Sequence, residues 1–476
     1  MGAPSWRVTV RSPLRNVSLI WPGPSSISAL AATQPEPPYG KEIYMELDHA
    51  RIRVEDLKSK PDFPFAPLEG VGPNLAGWGV IETCLLLPES VAVMVGPSAC
   101  LRHSAFMAHA RGFTERFHML CLSELDMSMG NHLGKLEKGV ADIIARRDEK
   151  VVFLIVGCPD YILGTDFTGV INRLEQSTGR KIILGAMAPI TIGLKESPFT
   201  SAYTSFFDFL KDEERVVDDG VVNLLGTFMP LSDQGELYRV LGDAGMDEVI
   251  QIPLCPDLKA FSRMARGRAS VVMHPLANGL SGKMESEMGI PTCFAPTSYG
   301  FAAIREQYAR IAEAVGRSLD IDRYEQDARQ AAEPMFEELR GKSVAVGCSI
   351  NGSPFELALA LLENGVDVDT LFARGTIKPY EWDLVARLRE IRPEIMVYNA
   401  SHPALCGQIE PFDHVEVAYG VDAGIYCANA ANVPLSRYQE QKYGFEATLW
   451  MLEQTREALA NPVSNHDWIY GHDFLI

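Results

Sequence analysis

The chain contains no Cys-x-x-Cys pair anywhere in its 476 residues. That excludes zinc ribbons and ferredoxin-type cluster motifs, which place two thiolates on one tight turn. The nine cysteines are odd in number and widely scattered, which does not describe a disulfide framework and points to a reducing compartment, the cytoplasm. No run of about 18 apolar residues occurs, so no transmembrane helix is expected. No Gly-x-Gly-x-x-Gly follows a predicted strand, and the phosphate loop of ATPases is absent. The Gly-x-Ser-x-Gly elbow of α/β hydrolases is missing too. Basic residues are outnumbered, 43 Lys and Arg against 62 Asp and Glu, for a net charge of −19. Such a surface repels nucleic acid and anionic membrane and attracts a protein with a basic face. The first 35 residues lack acids altogether and carry Arg7, Arg11 and Arg15. Their apolar runs are too short for a secretory core, and Trp6 stands where a myristoylation start needs Ser or Thr. They read as an arm.

Apolar and β-branched runs recur along the rest: Val91–Val95, Val151–Gly157, Lys181–Leu184, Val221–Phe228, Ser270–His274, Ser343–Gly347 and Glu394–Tyr398. Runs without polar alternation suit parallel strands covered on both faces. Amphipathic stretches lie between them, such as Gly130–Arg147, Ala302–Gly316, Ser353–Gly365 and Pro379–Ile391. The alternation predicts an α/β fold of three doubly wound, Rossmann-like domains with parallel sheets. The charged stretch Lys211–Gly220 and the helical, charged segment Asp320–Gly341 read as linkers. The expected organisation is an arm over 1–74, then domains over 75–215, 216–335 and 336–476.

In such folds, sites gather beyond the carboxyl ends of strands. Three cysteines stand there after small residues: Cys100 in Gly-Pro-Ser-Ala-Cys, Cys158 after Gly157, and Cys348 after Gly347. A thiol on a strand-end loop suits soft metals, although a free Cys also packs as a small hydrophobe. Cys100 and Cys158 share one domain, and a cluster needs several thiolates. Cys121, inside an apolar run, reads as core. Cys255, Cys293, Cys348, Cys406 and Cys427 read as packed thiols. His274 and His402 stand at strand ends, where each is either a proton donor or ligand, or hydrogen-bonded to nearby backbone. Arg102 and His103 follow Cys100, placed to donate to a cluster's sulfurs or simply to face water.

An ordered set of segments carries a family resemblance. "VAVMVGPSACLRHSAF" resembles the glycine-proline-cysteine turn of nitrogenase component 1 subunits, and "LSELDMSMGNHLGKLEKGV" resembles the acidic turn and Gly-rich step that follow. "VVFLIVGCPDYILGTDFTGV" is similar to the family's later cysteine segment. "SVVMHPLANGLSGKMESEMGIP", "KSVAVGCSINGSPFELALALLENGVDV" and "IMVYNASHPAL" extend the likeness over most of residues 75–455.

The resemblance implies that Cys100 and Cys158 ligate an iron–sulfur cluster, four-iron or larger, at an interface with a homologous subunit of the same or a different chain. Asn74 falls near the place of the family's first cysteine, which leaves Cys84 as a displaced candidate ligand. Catalytic nitrogenase subunits anchor their large cofactor on a cysteine where this chain has Pro275, after His274. The family's late cofactor histidine is missing from "VPLSRYQEQKYGFEATL". A second complex metal cofactor then belongs to a partner, or the chain is one of the nitrogenase-like reductases acting on tetrapyrroles or thioethers. The implied electron donor is an ATP-hydrolysing iron protein. Two other expectations stay open: a scaffold on which a metal cofactor is assembled and passed on, and a metal-free structural subunit.

Overall fold

The computed structural model describes residues 47–64, 79–187, 198–374, 377–405, 412–436, 439–464 and 467–468. Asn74, Cys406 and most of the expected arm lie outside them. The first described strand is β1 (Arg51–Arg53), and three parallel sheets follow.

The first sheet is built from α1 (Gly79–Leu86), β2 (Ser90–Gly96), α2 (Ser98–Ala110), β3 (Phe117–Cys121), α3 (Glu124–Ser128), α4 (His132–Ile144), β4 (Val151–Val156), α5 (Cys158–Leu163), α6 (Thr168–Thr178) and β5 (Lys181–Ala186). Its strand order is β3-β2-β4-β5. Every residue of β2 and β4 is buried, as their unbroken apolar runs require. Cys121 departs from expectation. It is exposed, because β3 is an edge strand whose side chains alternate between core and solvent.

The second sheet comprises α7 (Pro198–Thr204), β6 (Asp218–Leu225), α8 (Glu236–Asp243), β7 (Glu248–Gln251), α9 (Leu258–Ser262), β8 (Gly267–Val272), α10 (Asn278–Met288) and β9 (Thr292–Phe294), in strand order β7-β6-β8-β9. The helices α11 (Phe301–Val315) and α12 (Asp322–Leu339) lead to the third. The third holds β10 (Ser343–Val346), α13 (Pro354–Glu363), β11 (Asp367–Ala373), α14 (Trp382–Ile391), β12 (Met396–Asn399), β13 (Val417–Tyr419), α15 (Val421–Tyr426), β14 (Ala431–Val433) and α16 (Phe445–Ala460). Its order is β1-β12-β11-β10-β13-β14.

Two segments differ from the sequence reading. Part of the expected arm joins the third sheet, where β1 pairs antiparallel with β12 and Val54 and Leu57 are fully buried. The alternation Arg-Ile-Arg sends one side chain inward and two charges outward, which suits a short protected edge. The helical, charged segment read as the second linker is α12, which packs into the core instead of linking. It buries Ala328, Ala332, Phe336 and Leu339 along one face, and Glu338 on it pairs with Arg456 of α16.

The sheets belong to one compact unit. One apolar cluster joins the first sheet to the second, with Met94 and Ile155 on one side and Leu225 and Phe261 on the other. A larger one runs from Leu224 and Val271 of the second to Val346 and Leu371 of the third.

Buried carboxylates clamp the second and third sheets reciprocally. Glu236 of α8 accepts the N–H groups of Phe445 (3.0 Å) and Glu446 (2.9 Å) at the start of α16, and the Tyr308 hydroxyl (2.8 Å). In return, Glu356 of α13 accepts those of Tyr299 and Gly300 (2.8 Å) at the start of α11. Each acid satisfies orphan donors of a helix packed with the other sheet and faces the positive end of its dipole. Gly444 makes the first clamp possible. Its φ of +78° is strained for L residues, and a side chain there would collide with Glu236 and Tyr308.

Burial pushes the Glu356 carboxyl up to about 7, against the downward pull of its two backbone donors. The folded state therefore binds this proton more tightly than the unfolded one. The stabilising contribution is complete below about pH 4.5, the ordinary value, and is lost as pH rises to about 7. Glu356→Gln keeps an acceptor and cannot ionise. Thermal unfolding from pH 4.5 to 8 should show the variant gaining on the wild type with rising pH, by about 3 kcal/mol in total. Parallel curves would show that Glu356 does not titrate in this range.

Candidate functional site

Each sheet reverses its strand order once: between β2 and β4, between β6 and β8, and between β10 and β13. Crossovers leave on opposite faces there, so the loops beyond the two strands diverge and open a crevice.

The first crevice carries the two predicted cluster thiols. β2 and β4 pair directly, Val95 opposite Val156. Beyond them, Cys100 is exposed on the first turn of α2, and Cys158 is half-buried as the first residue of α5. A side chain added at Gly96 would meet open space, so the turn leaves room for a bulky group. Arg102 is exposed on α2, whereas the side chain of His103 lies outside the described residues. Cys84 is placed elsewhere. It is fully buried in α1 within the apolar cluster joining the first two sheets, and burial pushes its thiol up.

Two groups beside Cys158 were missed in the sequence. Asp160 is buried with one carboxyl oxygen lacking a hydrogen-bond partner; burial raises its carboxyl, opposed by His132. His132, which opens α4, is buried with both ring nitrogens unpartnered. An acid two residues into a Cys-Pro helix start was the available signal. Exposed apolar side chains crowd the same elements: Phe106 on α2, Leu125 on α3, and Tyr161, Ile162 and Leu163 on α5. Among the described residues, no three His, Cys, Asp or Glu converge as a metal-binding group.

The second and third crevices face each other across a cavity of about 350 Å³. β6 ends at Leu225 rather than running on to Phe228, because Gly226 turns with φ +91°. A side chain at Gly226 would press on the His274 backbone at about 2.9 Å. His274 follows β8 and lines the cavity with Pro275 and Leu276. Its Nδ1 accepts the Leu276 N–H at 3.1 Å, which places the ring proton of neutral His274 on Nε2. Metal-binding histidines do the reverse, donating from the nitrogen that does not bind the metal. His402 repeats the cap in its own His-Pro step, with Nδ1 accepting from Ala404 N–H at 3.2 Å, but it does not line the cavity.

Opposite His274, Cys348 follows β10, and Asp422 follows β13. The Cys348 thiol donates to Asp422 Oδ2 at 2.9 Å, and the same carboxylate accepts the N–H groups of Cys348 and Ser349. Burial and the Asp422 charge both push the thiol up, so Cys348 stays protonated. Arg374 and Lys378 border the cavity, with Phe199, Phe228 and Phe355 supplying apolar walls. Cys255 and Cys293, pushed by burial to about 11 and about 12, do not line it. Cys427 is fully buried.

Residues 76–459 match the family described as nitrogenase component 1 type oxidoreductase. The chain belongs to this family. Relatives include a nitrogenase iron-molybdenum cofactor biosynthesis protein NifE from Sinorhizobium fredii, 23% identical over 72% of this chain and 71% of that protein. A light-independent protochlorophyllide reductase subunit N from Chlorobium phaeobacteroides is 24% identical over 54% of this chain and 60% of its own length. Among solved structures, a nitrogenase Cp1 at pH 6.5 shares the fold, with a TM-score of 0.67 at 15% identity over 83% of this chain and 94% of that one. Component 1 type oxidoreductases are thus the frame for the three crevices. No helix among the described residues is long and apolar enough to cross a membrane.

The thiols differ sharply in access, which native alkylation can read. Iodoacetamide applied without oxygen to protein stripped of metal should label Cys100, Cys121 and Cys158, and spare Cys84 and Cys427 until denaturant is added. Early labelling of Cys84 would place it at the surface and restore it as a candidate ligand.

Proposed function

We propose that the chain is a subunit of a nitrogenase-like iron–sulfur reductase working in the reducing cytoplasm. The observation that carries this reading is the pair of accessible thiols, Cys100 and Cys158, at the reversal point of the first sheet amid exposed apolar side chains. Those side chains suit a homologous subunit, of the same or a different chain, which would complete the ligand set that two thiols begin. When bound, an iron–sulfur cluster supplies one-electron transfer, fed by an ATP-hydrolysing iron protein. Arg102 stands near enough in sequence to donate to such a group. His274 lines the cavity between the second and third sheets, where it would serve as the proton donor of the reaction.

A second reading has its own support. The NifE relative is a cofactor biosynthesis protein by name, and its match covers more of this chain than that of the reductase subunit. A scaffold would lose its metal to an acceptor protein, whereas a reductase subunit retains it through many cycles.

Iron and acid-labile sulfide, with low-temperature EPR, test the first reading on protein purified anaerobically beside its partner. Several irons per subunit are expected, with iron falling at least about fivefold in Cys100→Ala and in Cys158→Ala, because each removes an iron ligand. Iron-free wild type, from cells that load other clusters normally, would overturn it.

A further inference from the structure

We propose that His132 is a third ligand that this chain gives the iron–sulfur cluster, beside Cys100 and Cys158, with Asp160 as the carboxylate that orients its ring. The inference rests on the reductase reading and completes this chain's share of the ligand set.

α4 lies over the strands that lead to the thiols. His132, Leu136, Val140 and Ile144 fall one turn apart and form its buried face. The three apolar ones share a cluster with Val93 and Val95 of β2 and Val152 and Val156 of β4. α4 joins β3 to β4 within one parallel sheet, so it runs against the strands and begins at their carboxyl ends. His132 opens the helix one turn before Leu136, which sets it over the ends of β2 and β4. The opposite face of the sheet is covered by α2, whose Leu101 and Ala108 pack with Met94 and Phe117. The first crevice is thus approached by Cys100 from one face and by His132 from the other, with Cys158 at the end of β4.

What stands there is unsatisfied. His132 is 9% exposed, and neither ring nitrogen has a hydrogen-bond partner. Asp160 is 2% exposed; one carboxyl oxygen accepts from Thr165 Oγ1 at 3.4 Å, and the other has no partner. Burial raises the Asp160 carboxyl and the His132 charge opposes it, so the two groups are within electrostatic reach of each other. Buried polar atoms without partners are rare and costly, and three of them beside an accessible thiol point to a bound group. An iron held by imidazole suits all three. One ring nitrogen would give its lone pair to iron while the other donates its proton to Asp160, the arrangement that fixes metal-bound histidines. Imidazole replaces thiolate on iron in some two-iron clusters. His274 and His402 differ, since each has Nδ1 taken by a backbone N–H. A single ion needs its donors to converge, and among the described residues no three do. A cluster spreads its donors over several irons, so a wider set of Cys100, Cys158 and His132 fits it better than a lone metal ion.

The test reads nitrogen directly. The assembly is purified anaerobically from cells fed histidine enriched in the heavy nitrogen isotope, reduced to a paramagnetic state, and examined by pulsed EPR beside unlabelled protein. A histidine nitrogen coupled to the Cys100-dependent signal is expected, and His132→Cys should lose that coupling while keeping its iron, because a thiolate can take the same position. His132→Ala should lose the coupling and at least about half of the iron. Asp160→Asn should change the size of the coupling with the Cys100-dependent signal still present, since the carboxylate sets the basicity of the ring. A Cys100-dependent signal with no histidine nitrogen coupled to it would overturn the proposal and leave water as the partner of these atoms. So would a coupling that survives in His132→Cys. Failure of the reductase reading would show differently, as wild type without any Cys100-dependent iron, and would take the proposal with it.

Discussion

Much of this structure follows from one constraint on parallel sheets. A crossover between parallel strands is right-handed, so a chain that adds strands first on one side and then on the other must cover opposite faces in turn. At the reversal the two loops separate, and their backbone groups and side chains look into a gap with no strand beyond it. The fold makes this gap three times, and the residues with chemical potential fall into the gaps: Cys100 and Cys158, then His274, then Cys348 with Asp422. Glycine supports the close passages. At Gly226 the loop after β6 passes so near the His274 backbone that a side chain would push the two strands' ends apart.

The gaps of the second and third sheets form one cavity only because those sheets are fixed to each other. Glu236 and Glu356 hold the starts of α16 and α11 from across the interface, and the largest apolar cluster fills the space between them. A carboxylate accepting backbone N–H groups at a helix start is directional, whereas apolar burial is not. The clamps therefore set the angle of the two sheets, while the cluster supplies most of the burial. Desolvation of Glu356 is the counterpart of that placement, visible as a carboxyl held near neutrality.

The sequence reveals the parts of the fold in which burial is uniform. β2 and β4 are legible as unbroken apolar runs, and the order of strands and helices yields the doubly wound class. Elements at edges are hidden, since β1 and β3 alternate or carry charges, and Cys121 looks like core for its neighbours' sake. α12 is legible as a helix, but the charges around Ala328, Ala332, Phe336 and Leu339 hide its packing, so it reads as a linker. Of the candidate site, the strand-end thiols Cys100 and Cys158 are legible because small residues precede them. Cys84 is not, although Val80, Ile81, Leu85 and Leu86 around it already signal a buried helix face. The pairing of Cys348 with Asp422 spans 74 residues and depends on strand order alone, which no local pattern encodes.

The thiols and imidazoles at the strand ends differ in what the chain itself gives them to bond with. A soft-metal ligand must offer a lone pair to the surface, and Cys100, exposed before an open turn, is free to do so. His274 and Cys348 instead bond to the chain itself, His274 accepting the Leu276 N–H on Nδ1 and the Cys348 thiol donating to the Asp422 carboxylate. Under the proposed reading, electrons enter at the first sheet, and the cavity that His274 lines lies beyond the second. Proline at 275 has no ligand atom in its side chain and starts the turn that brings the Leu276 N–H onto His274 Nδ1, so one residue fixes how its neighbour's ring is held.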